Sequence, residues 1–356
     1  MATSKTKSGL VGLLKDESKK RLYEFLDAGL HRVWPILMST IECSPHHAEN
    51  QDPYLSSSRL SRDDYYGIFN VRTMHVDGND GIETILGRRN NEIKVGLWNI
   101  QCGIRWENII EVLQDGFGLD FINLVEVSRF HPWADHKDLL DIIVGKTGFT
   151  QVIYSPSFIL PEEARPFPEI GNAILSRHRL SEGRVLRLGQ AYERWHKDTP
   201  YPKVGERIAL YATVQIKDKK IGLYGPHLEL RCPTSVRVKQ LKQIFDDADL
   251  TGHDKIIVAG DINEWSLWNP KPEADEITQL AISRGYRDPF GDSSMRTLNN
   301  LLAIIDYLST NVYLPPGAKF TADRILSKGF EVMEFDVMDH INITDHFPVK
   351  AILGYR

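Results

Sequence analysis

The stretch IIVAGDINEW, residues 256–265, decides the fold. Its β-branched run stops at Gly260. Asp261 and Asn263 follow two residues apart and so point to the same side of an extended chain. A short continuous apolar run of this kind predicts a strand buried on both faces, with its carboxyl end opening onto the surface where sites form. A carboxylate and a primary amide at one strand tip can hold a water, a metal or a phosphate oxygen. Taken alone, an Asp-x-Asn after a strand is as well explained by a turn. Its weight comes from other strand ends in the chain that carry the same chemistry.

From residue 93 onward, strand-like runs alternate with helical patterns. IKVGLWNI, DFINLVEV, GNAILSRHRL, RIALYATVQI, KIGLYGPHLEL, KIIVAGDIN, ADRILSKGFEV and FPVKAILGYR read as extended. NIIEVLQDGF, KDLLDIIVGKTG, VRVKQLKQIFDDADL and EADEITQLAISRG read as helical. RIALYATVQI and KIGLYGPHLEL, joined by a short polar turn, form a predicted antiparallel hairpin. This mixture predicts two packed sheets flanked by helices, not a purely parallel doubly wound sheet.

The polar strand ends form one chemical set. Asn99 follows IKVGLW, Glu126 sits in the apolar run LVEV, His227 follows KIGLYGP, and Asp345–His346 precede the last strand. A carboxylate in an apolar strand is costly to bury unless it is paired or binds a cation. Glu126 therefore calls for a partner, and oxygen ligands of this kind suit magnesium, manganese or calcium. The three cysteines, Cys43, Cys102 and Cys232, have neither zinc-site spacing nor the even number of a disulfide framework. Histidines beside an oxygen-ligated metal suit proton transfer or oxyanion stabilisation.

The composition, 42% hydrophobic and 26% charged over 356 residues, is that of a globular chain able to bury its own core. A formal net charge of -5 argues against strong nonspecific polyanion binding without excluding a local basic groove. The amino-terminal stretch lacks the apolar core of a signal peptide, and no run approaches the roughly 20 apolar residues of a membrane span. A cytoplasmic location is the expectation. Residues 18–42 have helical spacing, with Leu22, Phe25, Leu26 and Leu30 on one face up to a break at Pro35. A polar loop and one possible strand, YYGIFNVRTMHV, follow.

The ordered set WNI, E, GNAILSR, HLE, GD-x-N, ADRILSKGFEV and DHFPV resembles the endonuclease/exonuclease/phosphatase superfamily, which includes DNase I-like nucleases, abasic-site endonucleases, sphingomyelinases and inositol polyphosphate phosphatases. Over residues 93–356, read as the catalytic domain, the resemblance implies an α/β fold, a DNase I-like four-layer α/β/β/α sandwich; residues 1–92 lie outside it as an N-terminal helical/loop extension. It implies divalent-metal-dependent hydrolysis of a phosphodiester by an activated water, with Mg2+ or Mn2+ as cofactor. The alternatives are a phosphomonoesterase on a small phosphate ester and a non-catalytic scaffold.

Residue by residue, the resemblance makes Glu126 the principal metal ligand, with Asn99 touching metal or phosphate and Asp345 as a second metal-side carboxylate. Asp261 and Asn263 orient the attacking water and the scissile phosphate. His227 stabilises or protonates the phosphoryl oxygens, and His346 is the general base or a phosphate-stabilising group. The partner of His346 is Asp323, with Asp306 of IIDYLST as the rival. Arg207 is a candidate phosphate contact, and Asn172 a candidate cleft residue. The chain departs from the family pattern at Val125, Pro226 and Thr344, without loss of a catalytic group. The substrate, nucleic acid or a phospholipid or small phosphate ester, stays open between two candidate loops. Residues 155–169 are acidic and proline-rich, whereas 190–206 mix Arg194, Lys197 and Lys203 with Tyr192, Trp195 and Tyr201. Trp265 and Trp268 read as packing or rim residues, His46, His47 and Glu49 as solvated, and Lys217, Lys219 and Lys220 as a hairpin turn.

Overall fold

The computed structural model describes residues 70–75, 92–114, 118–160, 166–189, 204–216, 219–230, 232–264, 276–289, 297 and 321–355. In chain order these supply β1 (Arg72–His75), β2 (Glu92–Asn99), α1 (Trp106–Gln114), β3 (Phe121–Arg129), α2 (Leu139–Lys146), β4 (Gln151–Ile159), β5 (Glu169–Ser176) and β6 (Leu180–Gly189). There follow β7 (Val204–Gly205), β8 (Arg207–Ile216), β9 (Lys219–Pro226), α3 (Thr234–Leu250), β10 (Ile256–Asp261), α4 (Glu276–Ser283), β11 (Asp323–Lys328), β12 (Phe330–Val337) and β13 (Val349–Tyr355).

Among the described residues the strands form two sheets. One runs β1-β4-β5-β3-β2-β13-β12, with β7 also paired to β4, and the other runs β11-β10-β9-β8-β6. Three apolar clusters separate four layers. Val95, Leu97, Val125, Leu210, Leu223, Ile257 and Ile325 pack between the sheets. Ile109, Leu113, Leu140 and Ile143 of α1 and α2 cover the outer face of the first sheet, against Trp98 and Ile122. Leu241, Ile244, Phe245 and Ile277 of α3 and α4 cover the second, against Val258 and Leu326. Every residue of β10 is buried, as a strand covered on both faces requires. The edge strands β6 and β12 carry exposed charged and polar positions, which discourages pairing with another chain.

Register brings the functional strand ends together. β2 runs parallel to β3 and β9 parallel to β10, so Asn99, Glu126, His227 and Asp261 lie towards the carboxyl ends of their strands. β11 runs antiparallel to β10 and starts opposite its end, with Asp323 facing Asp261 across the ladder. β13 runs antiparallel to β2, so the segment entering it, with Asp345 and His346, arrives beside Asn99.

Three sequence expectations change. ADRILSKGFEV is not one strand: it turns at Gly329, φ 81°, and its halves join different sheets. Residues 155–159 are the buried end of β4 rather than a surface loop, with Pro156 at a register shift against β5. The possible strand in YYGIFNVRTMHV supplies β1, and its pairing with β4 moves the start of the sheet ahead of residue 93. The helix expected over 18–42, the basic–aromatic segment 190–203, Trp265, Trp268, His46, His47, Glu49, Lys217 and Asp306 lie outside the described residues.

Candidate active site

Asp261 is the hub of the strand-end cluster. It is almost wholly buried, and its two oxygens are held from different directions. Asn99 Nδ2 donates to Oδ2 at 3.0 Å, and the backbone N–H of Asn263 donates to Oδ1 at 2.9 Å. His227 Nε2 lies 3.6 Å and His346 Nε2 3.9 Å from the same Oδ2. Burial, aided by the charge of Asp323, pushes the Asp261 carboxyl up to about 7, against the opposing pull of His346 and its two hydrogen bonds. A carboxyl near neutrality accepts a proton more readily than an ordinary aspartate.

His346 pairs with Asp323. Its Nδ1 lies 2.7 Å from Asp323 Oδ2, and both side chains are buried. Burial lowers the imidazole pKa, but Asp323, Asp261 and Asp345 outweigh it and raise it well above the usual histidine value. Thr344, where the family pattern commonly has serine, fixes the approach of this segment. Its hydroxyl donates to the His346 carbonyl at 2.7 Å and accepts from Trp98 Nε1 at 2.9 Å.

Glu126 reaches the cleft through a bulge. β3 shifts register against β5 between Leu124 and Val127, and Glu126 takes φ 59° there. The side chain is 28% exposed, so the apolar burial expected for it does not occur. Its oxygens meet the Cys102 thiol at 3.3 Å and His227 Nε2 at 4.0 Å. Positive φ also occurs at Gln101, Cys102 and Asn263. Such backbone costs roughly 1–3 kcal/mol per residue, and these four positions adjoin the strand-end cluster.

Asn99 and Asp345 are linked through Gln101, which the sequence reading passed over. The Gln101 backbone N–H donates to Asn99 Oδ1 at 3.0 Å, and its Oε1 accepts from the Asp345 backbone at 3.3 Å and from Arg105 at 3.2 Å. The only sequence signal for this role was its place two residues after Asn99. Asn172, expected in the cleft, is buried in the interior. Its Nδ2 donates to the Gly225 carbonyl at 3.1 Å and tethers β5 to the other sheet. Asn123, also missed, ties the sheets in the same way through the Ala259 carbonyl at 2.7 Å. Arg207, expected at the phosphate, is covered: it lies against His227 at 3.0 Å and Glu229 at 3.5 Å.

Among the described residues, one acid–histidine cluster brings possible ligand atoms together. Atoms of Asp261, Asp323 and His346 lie within 4.8 Å of one another, but the Asp323–His346 contact is a short hydrogen bond that uses both facing atoms. Glu126, Asn99 and Asp345, the residues expected at a metal, carry side-chain oxygens of the type that binds a hard divalent cation, and that of Asn99 also accepts from the Gln101 N–H.

A model of the endonuclease/exonuclease/phosphatase family matches residues 96–346. The chain belongs to that family. The endonuclease/exonuclease/phosphatase members are phosphoester hydrolases that generally use a divalent metal, and the two sheets with their flanking helices are the DNase I-like fold. Among solved structures, the chain resembles an endonuclease/exonuclease/phosphatase from Beutenbergia cavernae DSM 12333, with 20% identity, 74% of this chain and 72% of that chain covered, and a TM-score of 0.54. It also resembles D. rerio TDP2 complexed with single strand DNA product, at 15% identity, 74% and 99% coverage and a TM-score of 0.50. The mannosyl-6-phosphatase Bt3783 of Bacteroides thetaiotaomicron VPI-5482 matches at 15% identity, 74% and 100% coverage and a TM-score of 0.50. At these identities the likeness is one of fold. No curated protein matches the sequence. Among the described residues, no helix is long and apolar enough to cross a membrane.

Proposed function

We propose that this family member is a divalent-metal-dependent phosphodiesterase acting by in-line attack of water, with the two-sheet unit from β1 to β13 as its catalytic domain. The observation that carries the reading is the convergence on Asp261 of Asn99, Asn263, His227 and His346, drawn from both sheets, with two hydrogen bonds and two imidazole nitrogens at 3.6 and 3.9 Å. Glu126, with Asn99 and Asp345, would hold the metal. The bulge that turns the Glu126 carboxylate into the cleft, beside a thiol and an imidazole, supports that fit. When bound, magnesium or manganese supplies charge neutralisation at the phosphate oxygens and the leaving group.

The protein groups divide the remaining work. Asp261, held from two sides and with a raised pKa, orients the attacking water and receives its proton. Asn263 is itself fixed by donation from Nδ2 to the Leu228 carbonyl at 2.9 Å, which keeps its backbone N–H on Asp261. Of the two roles open to His346, the raised pKa favours the charged one: an imidazolium, aimed by Asp323, that stabilises the phosphoryl oxygens and protonates the leaving group.

Hydrolysis of bis-p-nitrophenyl phosphate and of p-nitrophenyl phosphate, each with magnesium, manganese or EDTA, tests the reading. Metal-dependent cleavage of the diester is expected. Turnover of the monoester alone would replace a diesterase with a monoesterase. Diester turnover that survives EDTA would remove the metal from the account. Plasmid DNA, RNA and sphingomyelin then separate a nucleic-acid from a phospholipid substrate.

A further inference from the structure

Arg207 opens β8 and His227 follows β9, and these strands lie side by side in antiparallel register. Arg207 Nη1 sits 3.0 Å from His227 Nε2, and its Nε 3.5 Å from Glu229 Oε1. The guanidinium carbon lies 5.4 Å from the centre of the Phe158 ring. The Arg207 side chain is 5% exposed, so the charge is enclosed by these partners rather than offered to the cleft. A guanidinium carries N–H donors only and keeps its charge in proteins. A ring nitrogen at hydrogen-bond distance from it must therefore accept. Half a turn of the imidazole would set a C–H against the guanidinium and lose the bond. The accepting Nε2 is also the nitrogen that faces the cluster, 3.6 Å from Asp261 Oδ2 and 4.0 Å from Glu126 Oε1.

We infer that Arg207 is a positioning residue that locks His227 in the tautomer protonated on Nδ1, so that His227 gives no proton to the phosphoryl group. Proton transfer is left to Asp261 and to His346 with Asp323. His227 instead anchors a fixed positive charge in the wall of the cluster, and its Pro226–His227 backbone is tied to β8 by the His227 N–H donating to the Ile208 carbonyl at 3.2 Å. The inference rests on the phosphodiesterase reading of this cluster for its consequence, but the tautomer itself is measurable without substrate or metal.

The test is a long-range proton–nitrogen correlation spectrum of protein labelled with nitrogen-15 histidine, in EDTA, with the His227 signals assigned by their loss in His227→Gln. The expected result is an unprotonated Nε2 in wild type, and a population protonated on Nε2 in Arg207→Gln. A proton on Nε2 in wild type overturns the inference, as does an Arg207→Gln spectrum identical to wild type. If Arg207→Gln fails to fold, as judged by circular dichroism, the wild-type spectrum still decides. Kinetics give a second readout. In His227→Gln, kcat for the diester is expected to fall while the pH–rate profile keeps its shape, and loss of one limb of the profile would overturn the inference. Absence of any phosphoester turnover in wild type would count against the functional reading and leave the tautomer result standing.

Discussion

Asp323 acts on the cluster through its 2.7 Å contact with His346 Nδ1 and through its charge, which helps to raise the Asp261 carboxyl. Asp323→Asn keeps the shape and removes the charge that holds the imidazole protonated and aimed. We expect kcat for a diester to fall by about 10²–10⁴-fold with KM little changed, as steady-state kinetics would read. A fall in binding alone would assign Asp323 to the substrate instead. The same pair leaves a mark on stability. The His346 pKa is raised in the fold, so its stabilising contribution is fully present below about pH 6.5, the unfolded value, and is lost as pH rises through the higher folded value. In EDTA, the gap in denaturant midpoint between wild type and His346→Ala should be widest near about pH 6 and should narrow as pH rises through that folded value. A gap that widens with pH would contradict the assignment.

Several of these residues could be read from local text because each lies at a strand tip with a simple pattern. GDIN and TDHFPV are examples, and their chemistry is local. Gln101 could not, because its role is made of contacts with Asn99 two residues away and with Asp345, 244 residues away. Arg207 was legible as important but not in its role. The sequence offered it as a phosphate contact, and only the neighbouring strand reveals that His227 and Glu229 cover it.

At the scale of elements, the β11–β12 turn decides which sheet each strand joins. β11 ends the second sheet, and β12 ends the first. The turn depends on Gly329, where φ is 81° and a Cβ would meet the Asp254 carbonyl oxygen. Gly329→Ala should destabilise the protein by more than about 1 kcal/mol, measured by urea unfolding, because both the backbone and the space oppose the side chain. β11 is also fastened to α4: Arg324 Nη1 donates to Asp288 at 2.7 Å and to Thr278 at 2.9 Å, all buried. Removing one partner leaves an uncompensated buried charge. Arg324→Met should therefore cost about 3–5 kcal/mol by the same measurement. Gly329 is not distinctive in the sequence, since ADRILSKGFEV has the composition of one long strand. β4 was obscured for the opposite reason: Pro156 reads as loop, yet the register shift against β5 accommodates it.

For the whole molecule, two packed sheets flanked by helices followed from the mixture of strand, hairpin and helix patterns and the four-layer order from the family resemblance; strands as continuously buried as β8 and β10 have the cover on both faces that this needs. The meeting of two sheets at one polar end was not legible in any single segment. It depends on parallel β2–β3 and β9–β10 pairs that point the same way, and on antiparallel β11 and β13 that return to them. Between the apolar interior and the cluster, Asn123 and Asn172 tether one sheet to the backbone of the other. Metal affinity is a property of this assembled end. Glu126→Gln should raise the magnesium concentration for half-maximal diester cleavage by more than about 10-fold, read from a metal titration of the rate. An unchanged titration would move the metal away from Glu126.

The most direct measurement is the rate of bis-p-nitrophenyl phosphate hydrolysis by Asp261→Asn beside wild type, in magnesium, with folding checked by circular dichroism. The substitution preserves size at the residue where Asn99, Asn263, His227 and His346 converge. A metal-dependent wild-type rate that falls by at least about 10²-fold in a folded variant is the predicted result. A folded Asp261→Asn protein that cleaves the diester at the wild-type rate would contradict the account.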